Sequence, residues 1–415
     1  MLNAQKARVV IVGAGFGGLQ AAQSLAHTEA EVILIDRHNY HTFIPLLYQV
    51  ATAGLSPDLI AIPIRNLLRN SPNTKFLQSE VEEIDFGVKL VKTSEGEIPY
   101  DFLILAAGSR TQFFGIPGAT DYAFPLRTLT DAINLRNQII HCFEKAEREL
   151  DDAKRQQLLT IAIVGGGATG VELAGALVEL VLGSLQKDYP RLNPQEVKLI
   201  LLQSGERLLA EFAPSLGKYT YRKLRQLGVQ VMLNSKVCQV SADGVGLQDD
   251  IWLPAATVIW SVGLAGALPN SLPTPAQTRK GKINVLPSLQ ASEYPEVFVI
   301  GDLAHIEHNQ KPLAGVAPEA LQQGVFVARN IQRRLRGKEL KPFSYFNKGR
   351  LAIIGCYSGV GKIGAFKLRG FLPWFMWLAV HLVYLPDWRN RLLILLSWLH
   401  AYILGDRSVR LILST

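Results

Sequence analysis

Three cysteines in 415 residues, Cys142, Cys238 and Cys356, form no CxxC or CxxxxC pair anywhere in the chain. That scarcity argues against a disulfide scaffold, a cysteine zinc site and a vicinal redox disulfide. No metal site is expected, and no calcium loop of the D-x-[DN]-x-[DN]-G type occurs. Charge is thin as well: 19% of residues are charged against 48% hydrophobic, and mean hydropathy is +0.15. Some apolar surface is therefore expected to stay exposed. No low-complexity stretch or linker stands out. Met1 to Arg8 is polar and runs straight into an apolar strand, so neither a cleaved signal peptide nor a leading anchor is expected, and the chain is placed on the cytosolic side.

What charge there is lies unevenly. From Phe346 onward, nine Lys and Arg stand against Asp387 and Asp406, so this segment carries +7 of the formal +8. It also holds Trp374, Trp377, Trp388 and Trp398, four of the six tryptophans. A basic, Trp-rich and aliphatic tail without a run of Lys or Arg suits anionic lipid better than a phosphate backbone, so nucleic acid is not expected as a partner. Phe371 to Leu385 and Leu392 to Leu404 contain no charged residue. Each is shorter than the ~18–20 apolar residues a spanning helix needs. With Pro386, Asp387, Arg389 and Arg391 between them, they read as two short helices lying on a membrane surface. A buried dimer interface is the competing reading, which leaves room for a homodimer.

A chain of this length exceeds one hydrophobic core. Arg8 to Val12 is apolar and ends in Gly13-Ala14-Gly15-Phe16-Gly17-Gly18, followed by a helical stretch from Leu19 to His27 and a second strand, Glu31 to Ile35, ending at Asp36. Gly13, Gly15 and Gly18 have the dinucleotide spacing: one Gly for the tight turn, one for close approach of backbone to pyrophosphate, one for helix–strand packing. The same grammar returns at Leu158 to Val164, Gly165-Gly166-Gly167-Ala168-Thr169-Gly170, a helix from Val171 to Leu182, and a strand from Val197 to Leu202. At its end Gln203 stands where an acid usually meets the ribose of NAD, with Ser204 beside it and Arg207 further on. Without that acid nothing repels a 2′-phosphate, so both NADH and NADPH stay open.

Two more strands, Phe102 to Ala106 and Val297 to Ile300, end in Ala107-Gly108 and Gly301-Asp302, and the second offers a carboxylate to a cofactor. The expected fold is α/β with two Rossmann-like dinucleotide-binding domains and a C-terminal membrane-associating helical segment. Residues 1–128 with 280–345 form a discontinuous first domain, 129–279 the second, and 346–415 the cap and tail. A helix from Thr130 to Gln157 bridges into the second domain, and another, Pro318 to Leu335, opens with Pro in its first turn. If that N-terminus faces a bound cofactor, its dipole would stabilise negative charge developing there. Glu172, in the first turn of the second nucleotide helix, either complements the helix dipole or acts at the electron-transfer centre, orienting the hydride donor or relaying a proton. Gln322 and Gln323 are either functional or ordinary helix surface.

With these residues in view, the sequence resembles the type II NAD(P)H dehydrogenases, single-subunit NAD(P)H:quinone oxidoreductases that do not pump protons. The resemblance runs along essentially the whole chain. It is carried most specifically by Asp36 to Gly54 (DRHNYHTFIPLLYQVATAG), with Gly165 to Gly175, Gly301-Asp302, Ala317 to Gly324, and Val380 to Leu385 with Arg389-Asn390-Arg391. It implies non-covalent FAD, a nicotinamide stacked on one flavin face, and a quinone arriving from the membrane side. FAD contacts fall on Gly13, Gly15, Gly18, Asp36, Thr52, Val81 and Asp302, and the nicotinamide nucleotide on Gly165, Gly167, Gly170 and Gln203. Gly17, Arg37, Gly108, Gly263, Gly301 and Ala317 complete the cofactor-binding set, and Glu172, Gln322 and Gln323 stand near the electron-transfer centre. One departure is Ala317-Pro318 in place of the family's frequent Ala-Gln pair.

The implied location is a peripheral, monotopic membrane protein on the cytoplasmic face. Two other readings compete. A sulfide:quinone reductase shares the fold and tail but needs two redox cysteines at the flavin, for which Cys142 and Cys356 have no supporting motif. A slow-turnover nucleotide-sensing flavoprotein would have no use for the tail.

Overall fold

The computed structural model describes residues 6–268, 278, 280–308, 311–407 and 409–413. The polar start Met1–Gln5 and position 279, where one expected domain boundary falls, lie outside the described residues. Two compact units emerge, one of Met1–Thr42, Ile62–Arg110 and Leu264–Asn347, the other of Phe43–Ala61, Thr111–Gly263 and Lys348–Thr415.

The first unit is built on a five-stranded parallel sheet in the order Val297–Val299, Phe102–Leu105, Arg8–Val12, Glu31–Asp36, Thr74–Gln78. Such strands are covered on both faces, which is why they read as unbroken aliphatic runs. Side chains alternate across the sheet. Val9, Ile11, Val32, Leu34 and Ile104 face one way, toward Val327, Ala328 and Ile331 of the helix Ala317–Leu335. Val10, Val12, Ile35, Leu103 and Leu105 face the other, toward Ile84 and Val91 of a small antiparallel sheet. The helix Phe16–Ser24 crosses the helix Ala317–Leu335 at glycines: a Cβ at Gly324 would lie 2.4 Å from the Gly17 carbonyl oxygen.

The second unit repeats the plan with a parallel sheet in the order Ala123–Pro125, Thr257–Trp260, Thr160–Val164, Lys198–Leu202, Gln230–Met232. In both sheets the fingerprint strand is central, and the chain leaves it for neighbours on opposite sides at different times. That is the switch point where open α/β sheets bind ligands beyond the strands' carboxyl ends.

Among the helices that differ from expectation, the first fingerprint helix is Phe16–Ser24 rather than Leu19 to His27. The bridging helix is two, Leu129–Ala146 and Asp152–Leu158, because Thr128 and Asp131 form a capping box at the first start while Asp151 accepts from Ala153 N and Lys154 N at the second. The second fingerprint helix starts earlier, at Ala168, and after Glu179 continues through a π turn, Leu180–Leu185, to Asp188. This 21-residue helix is long and apolar enough to cross a membrane, but 67% of its most apolar window is buried within the protein. It is a core helix.

Beyond residue 347 the second unit adds an antiparallel sheet, Arg350–Gly355, Ser358–Ile363 and Phe366–Gly370, which no sequence pattern announces. It packs on the second fingerprint helix at Gly175, where a Cβ would meet the Ile354 carbonyl oxygen at 2.1 Å. Two tail helices follow, Phe371–Tyr384 and Trp388–Leu404. Asp387 caps the second by accepting from Arg389 N at 3.0 Å, and Gly405, at φ 62°, ends it. Phe371, Leu372, Phe375, Val383, Trp388, Leu392, Leu396, Leu399 and Ile403 are exposed.

Candidate functional site

The three fingerprint glycines of the first unit are required for three different reasons. Gly13 sits at φ +101°, and a Cβ there would be 2.5 Å from the Ala106 carbonyl oxygen. At Gly18 a Cβ would be 1.8 Å from the Gly13 carbonyl oxygen. Gly15 is different, because a Cβ would meet no protein atom within 4 Å. The second unit matches this pattern: Gly165 at φ +117° with a Cβ 2.3 Å from Val262 Cγ1, Gly170 with one 1.9 Å from the Gly165 carbonyl oxygen, and Gly167 open. The protein's own packing asks nothing of Gly15 or Gly167. A ligand approaching the backbone would.

Gly15 and Gly167 are also the N-cap residues of their helices, and neither helix has a side-chain cap. The free N–H groups and positive dipole end are thus left for an anion such as a pyrophosphate. The helix Ala317–Leu335 is built otherwise: buried Glu319 closes its start, Oε2 accepting from Gly315 N at 2.8 Å and Val316 N at 3.2 Å. Sequence reasoning misses Glu319, although a Glu three residues past the N-cap is the carboxylate half of a capping box, the half that Val316 leaves standing alone.

At the ends of the second strands the two units use equivalent oxygens. Asp36 Oδ2 accepts from Ala14 N at 2.7 Å and Oδ1 from His38 N at 2.9 Å. Gln203 Oε1 accepts from Gly166 N at 2.8 Å. Each therefore ties the glycine turn to the strand end, where a ribose would lie. Asp36 adds a negative charge there and Gln203 adds none.

Other expected residues of the first unit gather around Asp302. Ser109 Oγ donates to Asp302 Oδ2 at 2.7 Å, and a Cβ on Gly315 would lie 3.1 Å from Asp302 Oδ1. Gly301, at φ +72°, donates its N–H to Gln323 Oε1 at 2.6 Å, so buried Gln323 fixes the Gly301-Asp302 turn. Gln322 spends its amide on Phe346, donating to O and accepting from N, both at 3.0 Å. Gly108 lies at φ +76°, Ala317 is the first residue of its helix, Val81 opens a strand of the small sheet, and Arg37 is exposed. This set fits FAD: an open glycine turn under an uncapped helix, a strand-end acid, and a second carboxylate on a glycine turn.

The second unit holds Gly263 at φ +76°, where a Cβ would strike the Gln112 carbonyl oxygen at 2.4 Å, and the buried Thr52, whose Oγ1 donates to the Tyr48 carbonyl oxygen at 2.9 Å. Arg407 donates from Nη1 to the Thr52 hydroxyl at 2.7 Å and carbonyl at 2.8 Å, and from Nη2 to Glu179 Oε2 at 2.7 Å. Glu172 lies past the first turn, because the helix starts at Ala168 and has no acid in that turn, so the dipole reading of Glu172 fails. Its Oε1 accepts from Trp377 Nε1 at 3.0 Å and Ile353 N at 3.4 Å, and burial, outweighing both bonds, pushes its carboxyl up to about 8. His381 stacks on Trp377 at 3.7 Å between ring centroids, and burial lowers it to about 4. Tyr48 meets the same indole edge-on at 6.1 Å. In the sequence Trp377 and His381 stand out only as tail residues, since a partnership across 205 positions leaves no local signal. Cys142 is buried beside Thr257, and Cys356 is a free, half-buried thiol.

The comparisons agree with this geometry. The family model of pyridine nucleotide-disulphide oxidoreductases matches residues 7–324. The type II NADH:quinone oxidoreductase Ndh of Mycobacterium tuberculosis is 36% identical over 97% of this chain and 89% of its own. Among solved structures, NDH2 from Plasmodium falciparum in complex with NADH superposes with a TM-score of 0.90 at 21% identity, over 99% of this chain and 100% of that one. The sulfide:quinone oxidoreductase of Aquifex aeolicus shares the fold at a TM-score of 0.74 and 18% identity, over 96% of both chains. With identity sustained from end to end in the first relative and the fingerprints intact in both units, the chain is an oxidoreductase that belongs to the pyridine nucleotide-disulphide oxidoreductases and, among them, to the type II NADH:quinone oxidoreductases.

Proposed function

We propose that this protein carries electrons from NADH, through tightly held FAD, to a membrane quinone, without pumping protons. The observation that carries this is the pair of open glycines, Gly15 and Gly167, each at an uncapped helix start. Two such starts in one chain call for two dinucleotides. The first unit holds FAD, and the second holds NADH and carries the cap and membrane segment. Bound FAD supplies a two-electron acceptor for the hydride and a two-electron donor for the quinone.

The chain's own residues position the nucleotides and manage protons. Asp36 and Gln203 orient the riboses, and Asp302 the middle of FAD. A quinone reduced by two electrons takes up two protons, and Glu172, neutral at pH 7 with its carboxyl pushed up to about 8, holds one ready on its carboxyl group. Gln203 is uncharged, which supports use of NADPH beside NADH. The exposed aromatic and aliphatic side chains of the two tail helices, with Arg389 and Arg391 at their elbow, support a monotopic seat on the cytoplasmic face of a membrane.

Anaerobic stopped-flow at the flavin absorbance tests this reading. NADH is expected to bleach the flavin, and a short-chain quinone to restore it. Bleaching by sulfide and by neither nicotinamide nucleotide would overturn the proposal, while slow turnover with both would favour a sensor.

A further inference from the structure

We propose that His381 is a positioning residue for Glu172, acting through the indole of Trp377. This rests on the reading of Glu172 as a proton carrier. Glu172 lies on the second fingerprint helix and Trp377 and His381 on the first tail helix, all in the second unit. Trp377 is 1% exposed, and its Nε1 donates to Glu172 Oε1 at 3.0 Å. An indole N–H cannot accept, so this bond favours the charged carboxylate over the neutral acid and opposes the effect of burial.

The angle of that N–H is set by the ring that lies against it. The His381 imidazole is stacked on the indole, 3.7 Å between centroids and 20° between planes. Its own orientation is fixed from behind, because a carbonyl only accepts: Nδ1 therefore carries a proton and donates to the Trp377 carbonyl oxygen at 2.7 Å. Phe43 meets the imidazole edge-on, 6.3 Å between centroids and 86° between planes. One neutral tautomer of His381 is thus wedged between Phe43 and Trp377, in contact with the indole and bonded to its backbone. Tyr48 from the helix Leu47–Ala51 is neutral too, since burial first, and then Glu172 and Tyr402, raise its phenol well above the ordinary value. No charged side chain is among the influences on Glu172, whose balance is set by burial, Ile353 N–H and the indole.

Infrared titration of the holoprotein, following the protonated-carboxyl band that Glu172→Gln removes, gives a readout independent of turnover. Trp377→Phe keeps an aromatic ring but removes the donor, and should move the midpoint up by about one pH unit, the scale of one hydrogen bond to a charged group. His381→Ala should move it the same way, and His381→Phe, which restores a flat ring against the indole, should bring it back toward the wild-type value. An unmoved midpoint in Trp377→Phe, or His381→Phe no closer to wild type than His381→Ala, would overturn the proposal. If His381→Ala does not fold, Trp377→Phe and His381→Phe decide it: the first must shift and the second must not. The pH profile of kcat reports separately on the proton carrier. If Glu172→Gln leaves that profile intact, the carrier reading falls while the infrared midpoint still judges the positioning.

Discussion

Gly15 and Gly18 lie three positions apart and differ in what an added methyl would meet. Gly18→Ala places a Cβ against the Gly13 carbonyl oxygen and is expected to cost about 3 kcal/mol or more in unfolding by denaturant. Gly15→Ala meets open space and loses only what Ala loses to Gly at an N-cap, about 1 kcal/mol or less, yet FAD affinity should fall about tenfold or more, measured by flavin retention on dilution. At the other strand end, Gln203→Glu should lower kcat/KM for NADPH by about tenfold through repulsion of the 2′-phosphate, with little change for NADH. Glu172 links this scale to pH. Its carboxyl is raised from the ordinary 4.5 to about 8, so between those values the folded state binds more protons than the unfolded one, and stability falls as pH rises through the window. Glu172→Gln should therefore unfold at a higher denaturant concentration than wild type at pH 8.5, and the two should converge near pH 5.

At the scale of elements, the strap after the second tail helix was invisible to sequence patterning, because it has no periodicity and its partners are remote. Ser184 Oγ, inside the π turn, accepts from Arg407 N at 2.8 Å and donates to Asp406 Oδ1 at 3.0 Å, while the Arg407 guanidinium reaches Thr52 and Glu179. Arg407→Leu removes the cation from a largely buried pair and should lower local stability by about 2–4 kcal/mol, seen as faster amide exchange in Leu47–Thr52. The elements that were legible had strong local rules behind them: strand, glycine turn and helix in both fingerprints, and two charge-free runs parted by Pro386 and Asp387. Those misread had weak ones. Apolar spacing runs through Glu147 to Asp151, so one helix was expected where Asp151 caps a second, and nothing in Val178 to Leu185 announces a π turn. The sheet Arg350–Gly370 escaped because Gly355, Gly359, Gly361, Gly364 and Gly370 interrupt its alternation. At the candidate site the glycines and strand-end residues could be read from spacing, whereas the contact of Trp377 with Glu172 needed the fold.

For the whole molecule, the exposed apolar side chains of the tail helices are an unmet cost in water that a bilayer interface would remove. Leu396 and Leu399, both about half exposed, lie on that surface. Replacing both by Glu should weaken sedimentation with anionic vesicles by at least ~2 kcal/mol, roughly thirtyfold, while leaving flavin content unchanged. Equal vesicle binding by this variant would mean that the tail is not the membrane contact.

The empty space over Gly15 has a consequence for how errors in this chain are noticed. A cell's quality control recognises exposed hydrophobic interior, and Gly18→Ala would provide it, so that chain would be degraded. A Gly15→Ala chain would keep its shape and escape degradation while holding its FAD more weakly and so carrying fewer electrons. Of two neighbouring glycines in one motif, one is guarded by the proteases and the other only by the growth rate of its host.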